Sequence, residues 1–328
     1  MVGPPSCSCL ARSWSAALAA AEVPVIVGPT AVGKTAVALA LAQHWPLEVV
    51  SADSRQVYRR LDIGTAKPTR RERARLPHHG LDVVDPGCRY SAGHYARDAA
   101  CWIQDIRQRG RLPVVVGGTG LYVRALAEGL FREPGLDPAR RRSLDAFTAR
   151  LEPLELLRWA GRLDPGFGGG GRQRAARAIE VALLTGRPLS YWQQAARAHG
   201  AIRPWYVVLT VPRPVLHQRI ARRAEEMMRR GLVEEVAAVL AEGHAPTAAG
   251  LDGIGVREAV EYLHGRRPRE SVAEAIAVST RQYAKRQQTW FRHQLRGQVI
   301  TLDATRSPDK VAAEIAGLWS DRAVTMVG

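Results

Sequence analysis

Val25-Ile26-Val27-Gly28-Pro29-Thr30-Ala31-Val32-Gly33-Lys34-Thr35 is the stretch that decides the fold. An apolar run passes into a loop bounded by glycines, then a lysine and a threonine, then an alanine-rich helical pattern. Glycines let backbone N–H groups close around phosphate oxygens, the lysine is a point charge, and the hydroxyl suits Mg2+. Gly28, Gly33, Lys34 and Thr35 meet those demands, and Thr30, Ala31 and Val32 complete the cradle between them. Residues 23–27 read as a buried strand and 36–42 as the start of a helix whose N-terminus faces the anion. The motif names a phosphate, not a reaction.

Outward from this loop, short β-branched strands alternate with helical stretches as far as about residue 127, which is the pattern of a parallel sheet with crossover helices. Residues 23–27, 47–51 and 113–116 are the expected strands, each followed by small or polar residues at the edge where such sheets bind ligands. Between about 129 and 203 strands vanish and Arg-rich helical segments surround the glycines at 168–171. A strand from 205 to 211 returns the chain to the sheet. Pro214 then opens a helix running towards Leu240 with Gly231 as its weak point, and a second long helix spans about 271–292. The expected fold class is thus α/β, a P-loop NTPase-like parallel sheet core with an inserted all-helical domain. Its expected parts are an extension at 1–21 without fixed structure, a discontinuous core at 22–128 and 204–328, and a helical insertion at 129–203.

The chain has 328 residues, 46% of them hydrophobic, and a formal net charge of +16 that calls for a polyanionic partner, nucleic acid first. Only Lys34, Lys67, Lys285 and Lys310 are lysines, so nearly all of the positive charge is arginine. Codon bias explains Arg over Lys, but not basic over acidic. Cys7, Cys9, Cys88 and Cys101 have neither zinc-ligand nor disulfide-framework spacing, which fits a reducing cytoplasm. No apolar run reaches the ~18 residues of a membrane span, and the Ser-, Ala- and Pro-rich start does not read as a signal peptide.

Asp53, in Ser51-Ala52-Asp53-Ser54-Arg55-Gln56, stands at the ligand edge, where a carboxylate takes a proton or holds Mg2+ through water. The bland alternative is a helix cap. Thr119 sits in Gly117-Gly118-Thr119-Gly120, a second strand-then-glycine turn, again with capping as the alternative. Arg219 and Arg223, four apart on one helix face, suit a pyrophosphate, although such faces are usually only solvated. Arg281, Lys285, Gln288 and Arg292 share a face of the last long helix near Tyr283, Trp290 and Phe291 and suit a phosphate backbone, Trp290 reading better as core. Arg140, Arg141, Arg142, Arg172, Arg174 and Arg177 make the same case in the insertion.

Together these segments resemble the tRNA dimethylallyltransferases, or tRNA isopentenyltransferases. The resemblance runs through GPTAVGKT, SADSRQVYRRLDIGTAKPT, HHGLDVVDP with YSAGHY, VVVGGTGLYVRAL, RQRAARAIE, LHQRI, GLVEEV and TRQYAKRQQTWFR, in family order from about residue 23 to 293. It implies transfer of a dimethylallyl group from dimethylallyl diphosphate to N6 of the adenine just 3′ of the anticodon, with Mg2+ and without ATP. By the same resemblance the loop, Lys34 and Arg219 hold the diphosphate, Thr35 positions the metal, Thr119 assists the leaving oxygen and Asp53 accepts the N6 proton. Contacts to the anticodon stem-loop are implied at Asp53, Ser54, Arg55, Gln56, Thr119, Arg141, Gln173, Arg174 and Arg177, to which Arg281 and Lys285 are added from the charge pattern. The chain departs from the family at the glycines 168–171, where an Asn-Asp type segment is usual, and at Val256, where Tyr is common. A cytoplasmic monomer with no membrane partner is expected. The rival readings are a P-loop kinase of a small hydroxylated metabolite, an RNA-binding protein with a relic loop, and a plant-type adenylate prenyltransferase.

Overall fold

The computed structural model describes residues 22–130, 136–195 and 200–325. The extension expected at 1–21, with Cys7 and Cys9, lies outside the described residues. Six strands form one sheet: β1 (Glu22–Val27), β2 (Leu47–Ala52), β3 (His78–His79), β4 (Leu112–Gly117), β5 (Arg203–Thr210) and β6 (Val299–Asp303). Their spatial order is β3-β2-β4-β1-β5-β6, and every neighbouring pair is parallel. β2 is buried throughout and β1 beyond its first residue, as befits strands covered on both faces. Register pairs Val27 of β1 with Gly117 of β4, and Gly117 with Ala52 of β2, so the loops after these three strands open at one sheet edge.

The described residues divide into two compact units, one from 22–127 with 201–325 and the other within 128–200. In the first, α1 (Lys34–Leu41) starts at the phosphate-loop lysine, followed by α2 (Arg70–Arg75), α3 (Ala92–Gln108) and α4 (Gly120–Glu128). In the second are α5 (Pro138–Arg150), α6 (Pro153–Leu163), α7 (Arg172–Thr185) and α8 (Leu189–Ala195). They enclose a core of their own around Leu156, Ala160, Ala175, Ala178 and Ile179. Asp164 ties α6 to α8 by accepting from the Gly166 N–H (3.0 Å), the Ser190 N–H (3.0 Å) and the Ser190 hydroxyl (2.5 Å). The first unit closes on itself where the Ala201 N–H donates to the Leu126 carbonyl at 2.8 Å.

After β5 come α9 (Arg213–Arg229), α10 (Leu232–Ala241), α11 (Val256–Leu263), α12 (Val272–Gln294) and, past β6, α13 (Pro308–Thr325). The helix expected to run on to Leu240 is two. Gly231 at φ 92° ends one and opens the other, a left-handed turn that glycine makes at no steric cost. β3 and β6 were not expected, because β3 has two residues and β6 is a five-residue edge strand in which only Leu302 is buried. Among the described residues no helix is long and apolar enough to cross a membrane.

Candidate active site

The loop after β1 needs three backbone conformations that side chains disfavour: Gly28 at φ 152°, Ala31 at φ 64° and Gly33 at φ 110°. A Cβ on Gly28 would lie 2.6 Å from the Leu209 carbonyl, so the first glycine is fixed by space as well as by φ. No side chain caps α1 at Gly33, which leaves the first-turn N–H groups to an anion. Lys34 Nζ donates to the carbonyls of Gly28 (2.9 Å) and Pro29 (2.8 Å). Burial pushes this ammonium down to about 8, with Asp53 opposing the shift and Arg223 adding to it.

Two arginines reach the loop from α9. Arg219 donates to the carbonyls of Val32 (2.9 Å) and Ala304 (3.1 Å), and Arg223 to the Thr30 hydroxyl (3.2 Å). Burial lowers the pKa of the Arg223 guanidinium, and Asp53 counters it. They are not a solvated face: both line a cavity of ≈ 520 Å3 with Gly33, Val37, Ile63 and Met227. Its Ile63 wall is held by Glu235 of α10, which accepts from the N–H groups of Asp62 (2.7 Å), Ile63 (2.7 Å) and Gly64 (2.9 Å). Lys67, its side chain fully buried, braces the same turn against Tyr58 O (2.6 Å), Asp62 (2.7 Å) and Asp82 (2.6 Å).

Asp53 follows β2. Its Oδ1 accepts from the N–H groups of Arg55 (2.9 Å) and Gln56 (3.4 Å) and so closes a turn; it caps no helix, because the next one, α2, begins at Arg70 with Thr69 as its cap. Its charge acts on Lys34, Arg223, Tyr122 and Tyr283. Thr119 follows β4, its N–H bonded to the Ala52 carbonyl (3.0 Å), and its hydroxyl accepts from the Ser54 N–H (3.0 Å) and donates to Ser54 Oγ (3.3 Å). A Cβ on Gly117 would overlap the Ala52 backbone, and one on Gly120 the Trp290 ring. Glycine is thus what lets the two loops lie against each other.

The structure therefore brings Lys34, Asp53, Ser54, Thr119 and Arg219 together around the loop of residues 28–35. Arg55 instead donates to Ala249 O (3.1 Å) and pairs with Asp252, and Gln56 is tied to the carbonyls of Thr65 (3.4 Å) and Ala66 (3.2 Å). On α12 Arg281 pairs with Glu274 (2.6 Å) and Lys285 is exposed. On the second unit Gln173 and Arg174 are exposed in the first turn of α7, while Arg141 (2.5 Å) and Arg177 (2.6 Å) pair with buried Glu180. Glu235 and Gln287 were not singled out in the sequence. The one available signal for Gln287 was its position four residues after Tyr283 on a helix facing the loops. Among the described residues no group of three or more His, Cys, Asp or Glu side chains could hold a metal ion.

Comparison with known proteins decides which phosphate chemistry this is. Residues 56–294 match the family model described as IPP transferase, and 21–77 one described as isopentenyl transferase. A tRNA dimethylallyltransferase of Geobacter metallireducens is 42% identical over 90% of this chain and 96% of its own length. This chain belongs to the tRNA dimethylallyltransferase family. The family relative from Bordetella petrii is likewise 42% identical, over 92% of this chain and 99% of its own. Among solved structures, the tRNA isopentenylpyrophosphate transferase of Bacillus halodurans superposes with a TM-score of 0.66 at 34% identity, covering 92% of this chain and 96% of that one. A eukaryotic dimethylallyltransferase acting on tRNA gives 0.70 at 28% identity, covering 87% and 74%. As a family member the chain is a prenyltransferase with the expected α/β core, and the metabolite-kinase reading finds no support among these relatives.

Proposed function

We propose that this tRNA dimethylallyltransferase takes its alkyl group from dimethylallyl diphosphate and places it on N6 of the adenine immediately 3′ of the anticodon. The observation that carries this reading is the meeting of Asp53, Thr119 and the cation-lined phosphate loop at the ends of three adjacent strands. In the reaction the C1–O bond of the donor breaks, a C1–N6 bond forms, the N6 proton passes to Asp53 and diphosphate departs. The N–H groups at the start of α1, with Lys34, Arg219 and Arg223, take up the charge that grows on the leaving group. An aromatic amine is a poor nucleophile, so a positioned carboxylate matters. Asp53 Oδ1 is fixed by backbone N–H groups, which leaves Oδ2 for the proton. The Thr119 hydroxyl, which accepts from the Ser54 N–H, turns its proton from Ser54 Oγ to the departing oxygen.

Mg2+ fits this donor set. Thr35 offers one hydroxyl in the first turn of α1, and magnesium keeps several waters and takes its remaining ligands from substrate phosphates rather than from a protein cage. The bound ion would neutralise diphosphate charge. The adenine must leave its stack, at a cost of a few kcal/mol that is least in a single-stranded loop. We assign the grip on the anticodon stem-loop to Ser54, Arg55, Gln56, Arg281 and Lys285 on the first unit and to Arg141, Gln173, Arg174 and Arg177 on the second, mostly through phosphate and shape. The enzyme works as a cytoplasmic monomer.

The test incubates pure protein with labelled dimethylallyl diphosphate, Mg2+ and unmodified tRNA, without ATP. Label in tRNA supports the reading, whereas label on free adenosine monophosphate alone, or phosphoryl transfer from added ATP, overturns it. In the same assay Asp53→Ala is expected to lower turnover by roughly 100-fold or more while tRNA affinity changes little.

A further inference from the structure

Two loops have to meet the donor from different sides, the phosphate loop after β1 and the glycine loop after β4. Pairing of β1 with β4 ends at Val27 and Gly117, so that pairing does not fix how far apart Thr30 and Thr119 stand. One side chain of α12 spans that gap. Gln287 is buried, with 6% of its surface exposed. Its Oε1 accepts from the Thr30 N–H at 2.9 Å, and its Nε2 donates to the Gly118 carbonyl at 2.8 Å. The partners set the amide's orientation, since the reverse would put N–H against N–H and carbonyl against carbonyl.

The fit is mutual. A Cβ on Gly118 would overlap Gln287 Nε2, and one on Gly120 would overlap Trp290, so α12 seats itself in the space that the two glycines leave open. The side chains nearest to it in size or chemistry do not do both jobs. Glutamate keeps the acceptor for Thr30 and loses the donor for Gly118, methionine keeps the volume and loses both, and asparagine is a methylene too short to bridge. Thr30 is also the residue whose hydroxyl accepts from Arg223, and Gly118 precedes Thr119, so each end of the amide adjoins a group of the site.

We propose that Gln287 is a positioning residue which sets the spacing between the diphosphate cradle and Thr119, and so aligns the C1–O bond of the donor with the incoming amine. The inference rests on the transfer reaction proposed above. A displacement of the order of 1 Å in such an alignment costs up to ~100-fold in rate.

The experiment measures donor KM and single-turnover transfer to tRNA for the full-length enzyme and for Q287E, Q287M, G118A and Q287M/G118A, with a thermal melt of each. Wild-type transfer is the control for the underlying reading: if unaltered enzyme moves no label, that reading fails before this one is reached. With transfer established, Q287E is expected to lose about tenfold or more in single-turnover rate, because it breaks the Gly118 bond and sets a carboxylate against that carbonyl. Q287M is expected to lose both hydrogen bonds, with KM raised as well. G118A should reproduce the rate loss from the other side of the joint, and the double variant should be no slower than the worse single one, since both changes undo one contact. Rates within twofold of wild type for Q287E and Q287M, losses that multiply in the double variant, or losses that follow only the folded fraction in the melt would each overturn the proposal.

Discussion

Lys34 shows how much one residue's surroundings matter. The sequence marks it as a phosphate ligand, but only the fold reveals that its ammonium lies on two loop carbonyls in a buried site, lowered from 10.5 to about 8. Between those two values the unfolded chain holds the extra proton, so the empty protein gains stability as pH rises from about 8 to 10.5, and below about 8 this contribution no longer changes. An arriving diphosphate favours the charged form and reverses the preference. Donor binding is therefore expected to take up a proton, and kcat/KM for the donor to fall as pH climbs through 8, which is checked by a pH profile and by calorimetry in two buffers of different ionisation enthalpy. Asp53 and Thr119 were legible because each ends a recognisable strand. Arg223 was visible as a partner of Arg219, yet nothing local says that a charged helix face turns inwards. Gln287 was illegible because its partner Thr30 lies 257 positions away.

At the scale of elements, helix and strand identities followed the apolar pattern wherever an element is buried on at least one side. The pattern failed at the edges of the sheet and at Gly231, where a single left-handed residue splits what periodicity alone would join. That break has a purpose in the packing. It starts α10 afresh so that Glu235, in its first turns, meets three successive N–H groups of the turn at residues 62–64. Glu235→Ala would leave those donors without their charged acceptor and is expected to cost roughly 1.5–3 kcal/mol in urea unfolding, with a higher donor KM because Ile63 lines the cavity. Lys67→Met removes the cation between Asp62 and Asp82, leaving Arg73 to pair with Asp82 (2.7 Å) and, more loosely, Asp62 (3.9 Å), and is expected to cost roughly 1.5–3 kcal/mol by the same measurement.

For the whole molecule, the formal charge of +16 sets the terms of tRNA binding. If six or more phosphates are neutralised, affinity for tRNA should fall by about 1000-fold or more between 50 and 200 mM salt, which filter binding across that range would measure. The compact insertion was legible as a change in composition, whereas its seam was not. At that seam a hydrogen bond from Ala201 to Leu126 brings the backbone back to the point where it departed. Whatever is spliced in there leaves strand order untouched, and the closure penalty grows only by about 0.6 kcal/mol for each doubling of the excursion. The architecture thus permits the inserted unit to be lengthened, trimmed or exchanged over generations while the strands of the core stay in register.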